Sequence, residues 1–239
     1  MRCVLCLRWF AEAFVLRCSH LNRALGSQFE QSSRKIMSDK EIQLANYVNN
    51  LTDFVMVNRE EGCIYQNMGA TIIDGILQAG IDYKSTVAPR VNKYLYEYGH
   101  VTKTSEFKKL IQEVGVDKLI TWKVSAKTKR IITLTDFFVS VGVETESDLY
   151  KWLEIESNCA QLLKINGIKC KTLDYFKILS GHTDTTAIDR HLYQFLDDAN
   201  INYDGYDEAH LIIKKTAVVM EVNASILDHS IWKYMSERA

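Results

Sequence analysis

From Lys40 onward the apolar residues of this chain return every third or fourth position. The alternation that a half-buried strand needs is never sustained. Ala45, Val48, Leu51 and Val55 form one such stripe, and Met68 to Gln78 reads as an apolar helix ended near Gly80. Asp82 to Ser85 opens a further helix with Val87, Val91, Tyr94 and Leu95 on its apolar face. Thr104 and Ser105 are expected to cap a helix through Leu110, Ile111 and Val114, stopped by Gly115. Thr135 or Asp136 is expected to cap a short helix from Phe137 to Val141, stopped by Gly142. The acidic and hydroxylated stretch 144–148 precedes Leu149, Trp152 and Leu153, the order of a capped helix. Later helices are expected over 169–180, 186–199, 206–222 and 225–235. The β-branched run Ile131-Ile132-Thr133-Leu134 comes nearest to a strand, and it is short. The expected class is all-α, with about ten helices.

The 239 residues suffice for one large domain or two small lobes. There is one proline, Pro89, and no Ser/Pro-rich linker, so a single compact body is expected. No stretch of eighteen uninterrupted apolar residues is present, which argues against a membrane-spanning helix. The net charge of −1 conceals an asymmetry. Residues 1–37 carry six basic groups and two acidic ones, which leaves 23 basic and 28 acidic groups in 38–239, a body at −5. That balance weighs against a nucleic-acid partner unless a basic face is local, because phosphate binding runs on excess positive charge.

The first 36 residues are Arg-rich and acid-poor and hold three of the six cysteines. Met37-Ser38-Asp39-Lys40-Glu41 then looks like an ordinary protein start. Residues 1–36 read as an extension or a start assigned too far upstream, the alternative being a transit peptide. A secretory signal fits poorly, because Arg8, Glu12 and Arg17 break the apolar stretch. The cysteines at 3, 6, 18, 63, 159 and 170 have no framework spacing, and free thiols are expected. Cys3, Cys6, Cys18 and His20 follow a loose zinc-like order, but no metal site is assigned to them.

The most informative segment is 158–192, NCAQLLKINGIKCKTLDYFKILSGHTDTTAIDRHL. A helix ends near Lys164, a tight turn follows at Ile165-Asn166-Gly167-Ile168-Lys169, and a second helix begins at Cys170-Lys171-Thr172. Glycine suits such a turn because a Cβ forbids its backbone angles. Exposed N–H groups of the turn and the helix start can hold a phosphate without reading a base. Asp189, in Ile188-Asp189-Arg190-His191, comes eighteen residues after Lys171, with Gly181 between.

This pattern resembles the helix-hairpin-helix DNA glycosylases of the endonuclease III superfamily. They typically show Leu-Pro-Gly-Val-Gly-x-Lys-Thr-Ala, a helix, a glycine bend and Val-Asp-x-His. Leu227 to Trp232 resembles a C-terminal pattern of the same superfamily, and weaker similarity lies around 72–91. The resemblance implies a two-lobed helical bundle over 37–239 that acts on DNA, specifically damaged duplex, as a monomer in base-excision repair. Lys171 would be the nucleophile at C1′ of the damaged nucleotide, giving a Schiff base and, with it, AP-lyase activity. The helix N-terminus and Lys169 would lower its pKa. Asp189 would stabilise the oxocarbenium charge, and the base would be flipped into a pocket between lobes. Asn166, Gly167, Ile168, Lys169 and Cys170 would form the DNA-binding hairpin.

The chain departs from the family pattern at three points. Asn166 replaces the proline and Lys169 the second glycine, and the Lys169 Cβ limits close backbone approach. No cysteine follows Cys170, so the iron–sulfur cluster of many relatives has no ligands in its usual C-terminal place, and no cofactor is expected. The other reading is therefore a catalytically inactive helix-hairpin-helix domain that binds nucleic acid or protein. The location would be the cytoplasm or nucleoid in a bacterium, or an organelle or nucleus if 1–36 is a targeting segment. Lys123, Lys127, Lys129 and Arg130 with Trp122 read as a solvated loop, or as a DNA-backbone contact outside the pocket. Tyr94, Tyr96 and Tyr98 read as core or surface aromatics. Asp228, His229 and Trp232 read as residues fixing the last helix to the body.

Overall fold

The computed structural model describes residues 39–57 and 64–238. The Cys3, Cys6, Cys18 and His20 order and the Met37 start lie outside the described residues.

Among the described residues there are twelve α-helices, one π turn and no strand, so the chain is all-α with slightly more helices than expected. In chain order they are α1 (Asp39–Asn50), α2 (Met68–Leu77), the π turn Tyr83–Val87, α3 (Ala88–Tyr98), α4 (Thr104–Val114), α5 (Val116–Leu119), α6 (Ser125–Ser140), α7 (Glu146–Leu153), α8 (Glu156–Leu162), α9 (Cys170–Ser180), α10 (Arg190–Asp198), α11 (Gly205–Val219) and α12 (Ala224–Ser236). No helix of the described residues is long and apolar enough to cross a membrane.

Two apolar cores divide these helices into two lobes. One core is built from residues 68–179, with Ile72, Tyr94, Phe107, Phe138 and Phe176 fully buried. The other joins Leu44 and Val48 of α1 to residues of α10, α11 and α12 around Phe195, Ile213 and Ile231. The described residues thus run from the second lobe at α1 to the first from α2 onward, and return to the second at 181–189. Lys40 to Glu208 at 2.7 Å and Gln43 to the Ala199 carbonyl at 2.8 Å hold α1 to its lobe.

The centre of the first lobe is α2, every residue of which is buried. It can sit there because two of its residues are glycines that neighbours approach closely. A Cβ at Gly75 would overlap the Phe176 ring, which is itself fully buried. Gly75→Ala gains about 1 kcal/mol of helix propensity. Overpacking against a rigid ring costs about 1–3 kcal/mol, so packing should win. The variant is expected to melt below the wild type; an equal or higher melting temperature would show that the α2–α9 contact can relax.

Five local expectations need correction. Ile131 to Leu134 is neither strand-like nor a lead-in to a cap, because it lies inside the single helix α6. Ile131, Leu134 and Phe138 face the core at helical spacing, while Ile132 is exposed. Thr135 is mid-helix, and its hydroxyl donates to the Ile131 carbonyl at 2.8 Å instead of capping. Thr104 is not a cap either: Glu106 reaches back to accept from the N–H groups of Thr102 and Lys103. The stripe at 45–55 ends with α1 at Asn50, leaving Leu51 and Val55 outside it. The helix expected over 186–199 starts only at Arg190, because Thr185, Thr186 and Ala187 bond sideways to side chains of other helices.

That last difference shapes the site. Gly181, at φ 105°, ends α9 in the left-handed conformation, and the chain crosses to the second lobe as an extended strap. Asp174 of α9 ties the strap and the second lobe together. Its carboxylate accepts from the Thr185 hydroxyl at 3.1 Å and the Tyr206 hydroxyl at 2.7 Å.

Candidate active site

A cleft of about 930 Å³ opens between the lobes. Its walls are the end of α2 with the following turn, one face of α9, the start of α10 and one face of α12. Lys171 and Asp189 both line it. They come from opposite lobes: Lys171 is the second residue of α9, packed in the first core, and Asp189 precedes α10, packed in the second.

Asp189 is held as the N-cap of α10. Its Oδ1 accepts from the N–H groups of His191 at 2.9 Å and Leu192 at 3.2 Å. Lys171 is half-buried, and its Nζ donates to Oε1 of Gln78 at the end of α2. Among the described residues no carboxylate oxygen lies within 4.0 Å of that amine. Burial lowers the Lys171 pKa below the ordinary lysine value, and the charges of Asp189, Asp228 and Asp74 oppose the shift without reversing it. The cause is burial rather than the expected helix N-terminus and Lys169.

The floor of the cleft contains groups that sequence reasoning missed. Asp74 is fully buried in the middle of α2 and accepts from the hydroxyls of Tyr65 at 2.8 Å and Tyr175 at 3.0 Å. Burial followed by the Asp74 charge pushes both phenols up, so they stay protonated donors. Gln78 accepts from Lys171 through Oε1, and its buried Nε2 has no acceptor among the described residues. The signal was present in the sequence: a single carboxylate inside the otherwise apolar MGATIIDGIL. A buried acid in such a run must be hydrogen-bonded, and phenols are apt partners.

Asp228 does fix the last helix, as expected, and also faces the cleft. Its Oδ2 accepts from the Thr186 hydroxyl at 2.6 Å and the Ala187 N–H at 2.7 Å, clamping the strap just before Asp189. Trp232 packs edge-on against Tyr83 at 5.7 Å and stacks with His229 at 5.8 Å, forming an aromatic rim.

Loss of hydration raises the Asp228 pKa from 3.8 to about 6, against the pull of its two hydrogen bonds. A carboxyl with a raised folded pKa favours folding below its unfolded value, and that contribution fades as pH rises through the folded value. Wild-type stability is therefore expected to fall between pH 4 and about 6 relative to Asp228→Asn, which keeps an acceptor and cannot ionise. Asp228→Ala loses the clamp and should lie about 2 kcal/mol below Asp228→Asn at all pH values. Melting curves of the three proteins across this range check both statements; parallel wild-type and Asn curves would contradict the first.

The hairpin lies at the α9 end of the cleft. Ile168 is buried in the first core and its N–H donates to the Ile165 carbonyl at 3.0 Å, while Asn166, Lys169 and Cys170 are exposed. Gly167 has φ 84°, as the turn requires. The basic cluster is a solvated loop only at Lys123; Lys129 is exposed on α6, while Lys127 and Arg130 on the same helix are engaged. Lys127 donates to the carbonyls of Ile76, Leu77 and Ala79 at 2.7–2.9 Å, closing the end of α2. Arg130 Nε donates to the Asn166 carbonyl at 3.0 Å. Tyr94 is buried and Tyr96 exposed, as core and surface aromatics. Among the described residues no three His, Cys, Asp or Glu side chains group as a metal site.

Residues 43–236 match the family described as a domain of unknown function, DUF8548. The chain belongs to that family. No curated protein matches the sequence. Two solved structures are similar. One is an 8-oxoguanine glycosylase/lyase of Methanocaldococcus jannaschii in complex with DNA containing 8-oxoguanine: 18% identity, TM-score 0.47, covering 83% of this chain and 89% of that one. The other is a 3-methyladenine DNA glycosylase of H. pylori bound to 1,N6-ethenoadenine: 14% identity, TM-score 0.46, covering 85% of this chain and 99% of that one.

Proposed function

We propose that this protein is a DNA glycosylase of base-excision repair, with Lys171 as nucleophile, Asp189 as electrostatic partner and AP-lyase activity as the second step. The observation that carries the reading is the convergence of Lys171 and Asp189 in one cleft, from two lobes, with a hairpin at the start of the lysine's helix. A cleft of about 930 Å³ suits one everted nucleotide.

The neutral Lys171 amine attacks C1′ as the glycosidic C1′–N bond breaks, and the base departs with that electron pair. Asp189 lies where its negative charge offsets the cationic character developing at C1′ and the ring oxygen. One amine proton is lost, ring opening then breaks the bond between C1′ and the ring oxygen, and a Schiff base results. Elimination of the 3′-phosphate follows with loss of a C2′ proton. Burial serves the first step, because it increases the fraction of Lys171 that is neutral and nucleophilic at neutral pH.

The inactive, binding-only reading draws on the acidic body and on Lys169 in a hairpin glycine position. A panel of duplexes, each with one lesion, separates the two. Strand cleavage at one lesion without alkali supports the glycosylase–lyase, cleavage only after alkali supports a glycosylase alone, and binding without cleavage at every lesion supports the binding-only domain.

A further inference from the structure

The hairpin is not a bare turn of backbone. Arg130 reaches it from α6, a helix distant in sequence, and its Nε donates to the Asn166 carbonyl at 3.0 Å. The guanidinium lies against Gly167, in the space that a Cβ there would take. Glycine therefore has two uses at this position: it permits φ 84° and it admits the arginine.

The surroundings are cationic. Lys164 and Lys169 flank the turn itself, whereas the amine of Lys127, one turn before Arg130 on α6, is spent on the carbonyls that end α2. Arg130, Lys164 and Lys169 take part in no ion pair among the described residues. The N–H groups of Gly167, Lys169 and Cys170 also have no acceptor among the described residues. A cluster of uncompensated cations beside open N–H donors, on a body that is otherwise acidic, is the local basic face that a phosphate partner requires.

We propose that Arg130 is the principal phosphate ligand of the hairpin, gripping one DNA backbone phosphate with the guanidinium that the Asn166 carbonyl braces. This rests on the reading that the protein binds DNA. Lys169 keeps its Cβ where a second glycine would let the backbone come close, so a side chain must carry more of the contact. Arginine suits that role. Its fork has five donors, of which Nε is engaged by Asn166, and the terminal nitrogens keep a planar pair for two phosphate oxygens. The brace also fixes the fork in advance, which reduces the ordering cost of binding. The contact reads no base and sets register only.

The test is binding of a duplex carrying a stable abasic-site analogue, measured by fluorescence anisotropy over a range of salt concentrations. The proteins are wild type, Arg130→Gln, Gly167→Ala and, as an equal charge change in the other lobe, Lys215→Gln. Circular dichroism confirms that each is folded. Arg130→Gln is expected to bind roughly tenfold more weakly. Its slope of log affinity against log salt should be shallower by about one. Gly167→Ala, which displaces the guanidinium, should move the same way, and Lys215→Gln should lose clearly less than either. Unchanged affinity and slope in Arg130→Gln, or an equal loss in Lys215→Gln, would overturn the Arg130 assignment and leave DNA binding intact. A wild type that binds no DNA would overturn the DNA reading itself. Arg130-dependent binding to polyglutamate in place of DNA would identify an acidic protein partner and overturn the proposal.

Discussion

Lys171→Met is expected to remain folded and to lose excision by roughly 10³-fold or more on whichever lesion the wild type processes. Methionine follows lysine as far as Cε, with sulfur in place of the δ methylene, and lacks the amine. The fold should tolerate this, because a charged amine is costly to bury and a thioether is not. The loss that remains is the Lys171 hydrogen bond to Gln78, a contribution of about 1 kcal/mol. The same geometry sets the pH dependence. Attack needs the neutral amine, so the wild-type rate should rise with pH through the Lys171 pKa and level off below the pH at which an ordinary lysine would. A pH–rate profile in single turnover checks the sign. A rate that falls as pH rises would assign the lysine a different role.

Asp189→Asn is expected to lower excision by about 10²–10³-fold while leaving stability within about 0.5 kcal/mol of wild type. The two effects separate because Asp189 has two uses. Its Oδ1 caps α10 by accepting from His191 and Leu192, and an asparagine oxygen can accept those bonds equally well. Its charge, which faces the cleft and Lys171, cannot be replaced by an amide. Asp189→Ala should show both losses, with about 1 kcal/mol of stability added to the catalytic defect. A further sign follows for the asparagine variant. Asp189 is the largest charge holding the Lys171 pKa up, so removing it should move the rising limb of the pH profile to lower pH. An Asn variant as active as wild type would reduce Asp189 to a helix cap.

The legible parts of this chain were those whose signal is local. The turn at Gly167, the start of α9 at Cys170 and its end at Gly181 follow from glycine conformation and apolar spacing. They placed Lys171 and Asp189 at helix starts, and both starts open on one cleft. What escaped depends on contacts between distant segments. The β-branched run in α6 looked unhelical until Ile131 and Leu134 were seen to face the core together. The helix expected from 186 starts late because the strap's threonines bond to Asp174 and Asp228, partners 11 and 42 residues away that no local pattern reveals. Asp74 stands out as the one carboxylate of an apolar helix, but its Tyr175 partner and the Gln78 contact with Lys171 exist only once α9 is packed against that helix. Arg130 looked like a surface cation because its acceptor is a carbonyl 36 residues on.

Borohydride trapping tests the central claim most directly. Wild-type protein is incubated with a duplex containing a natural abasic site, reduced, and digested for peptide mapping. A covalent protein–DNA adduct is expected, attached at Lys171 and absent from Lys171→Met. A folded, DNA-binding wild type that yields no adduct, or an adduct that persists in Lys171→Met, would contradict the central claim.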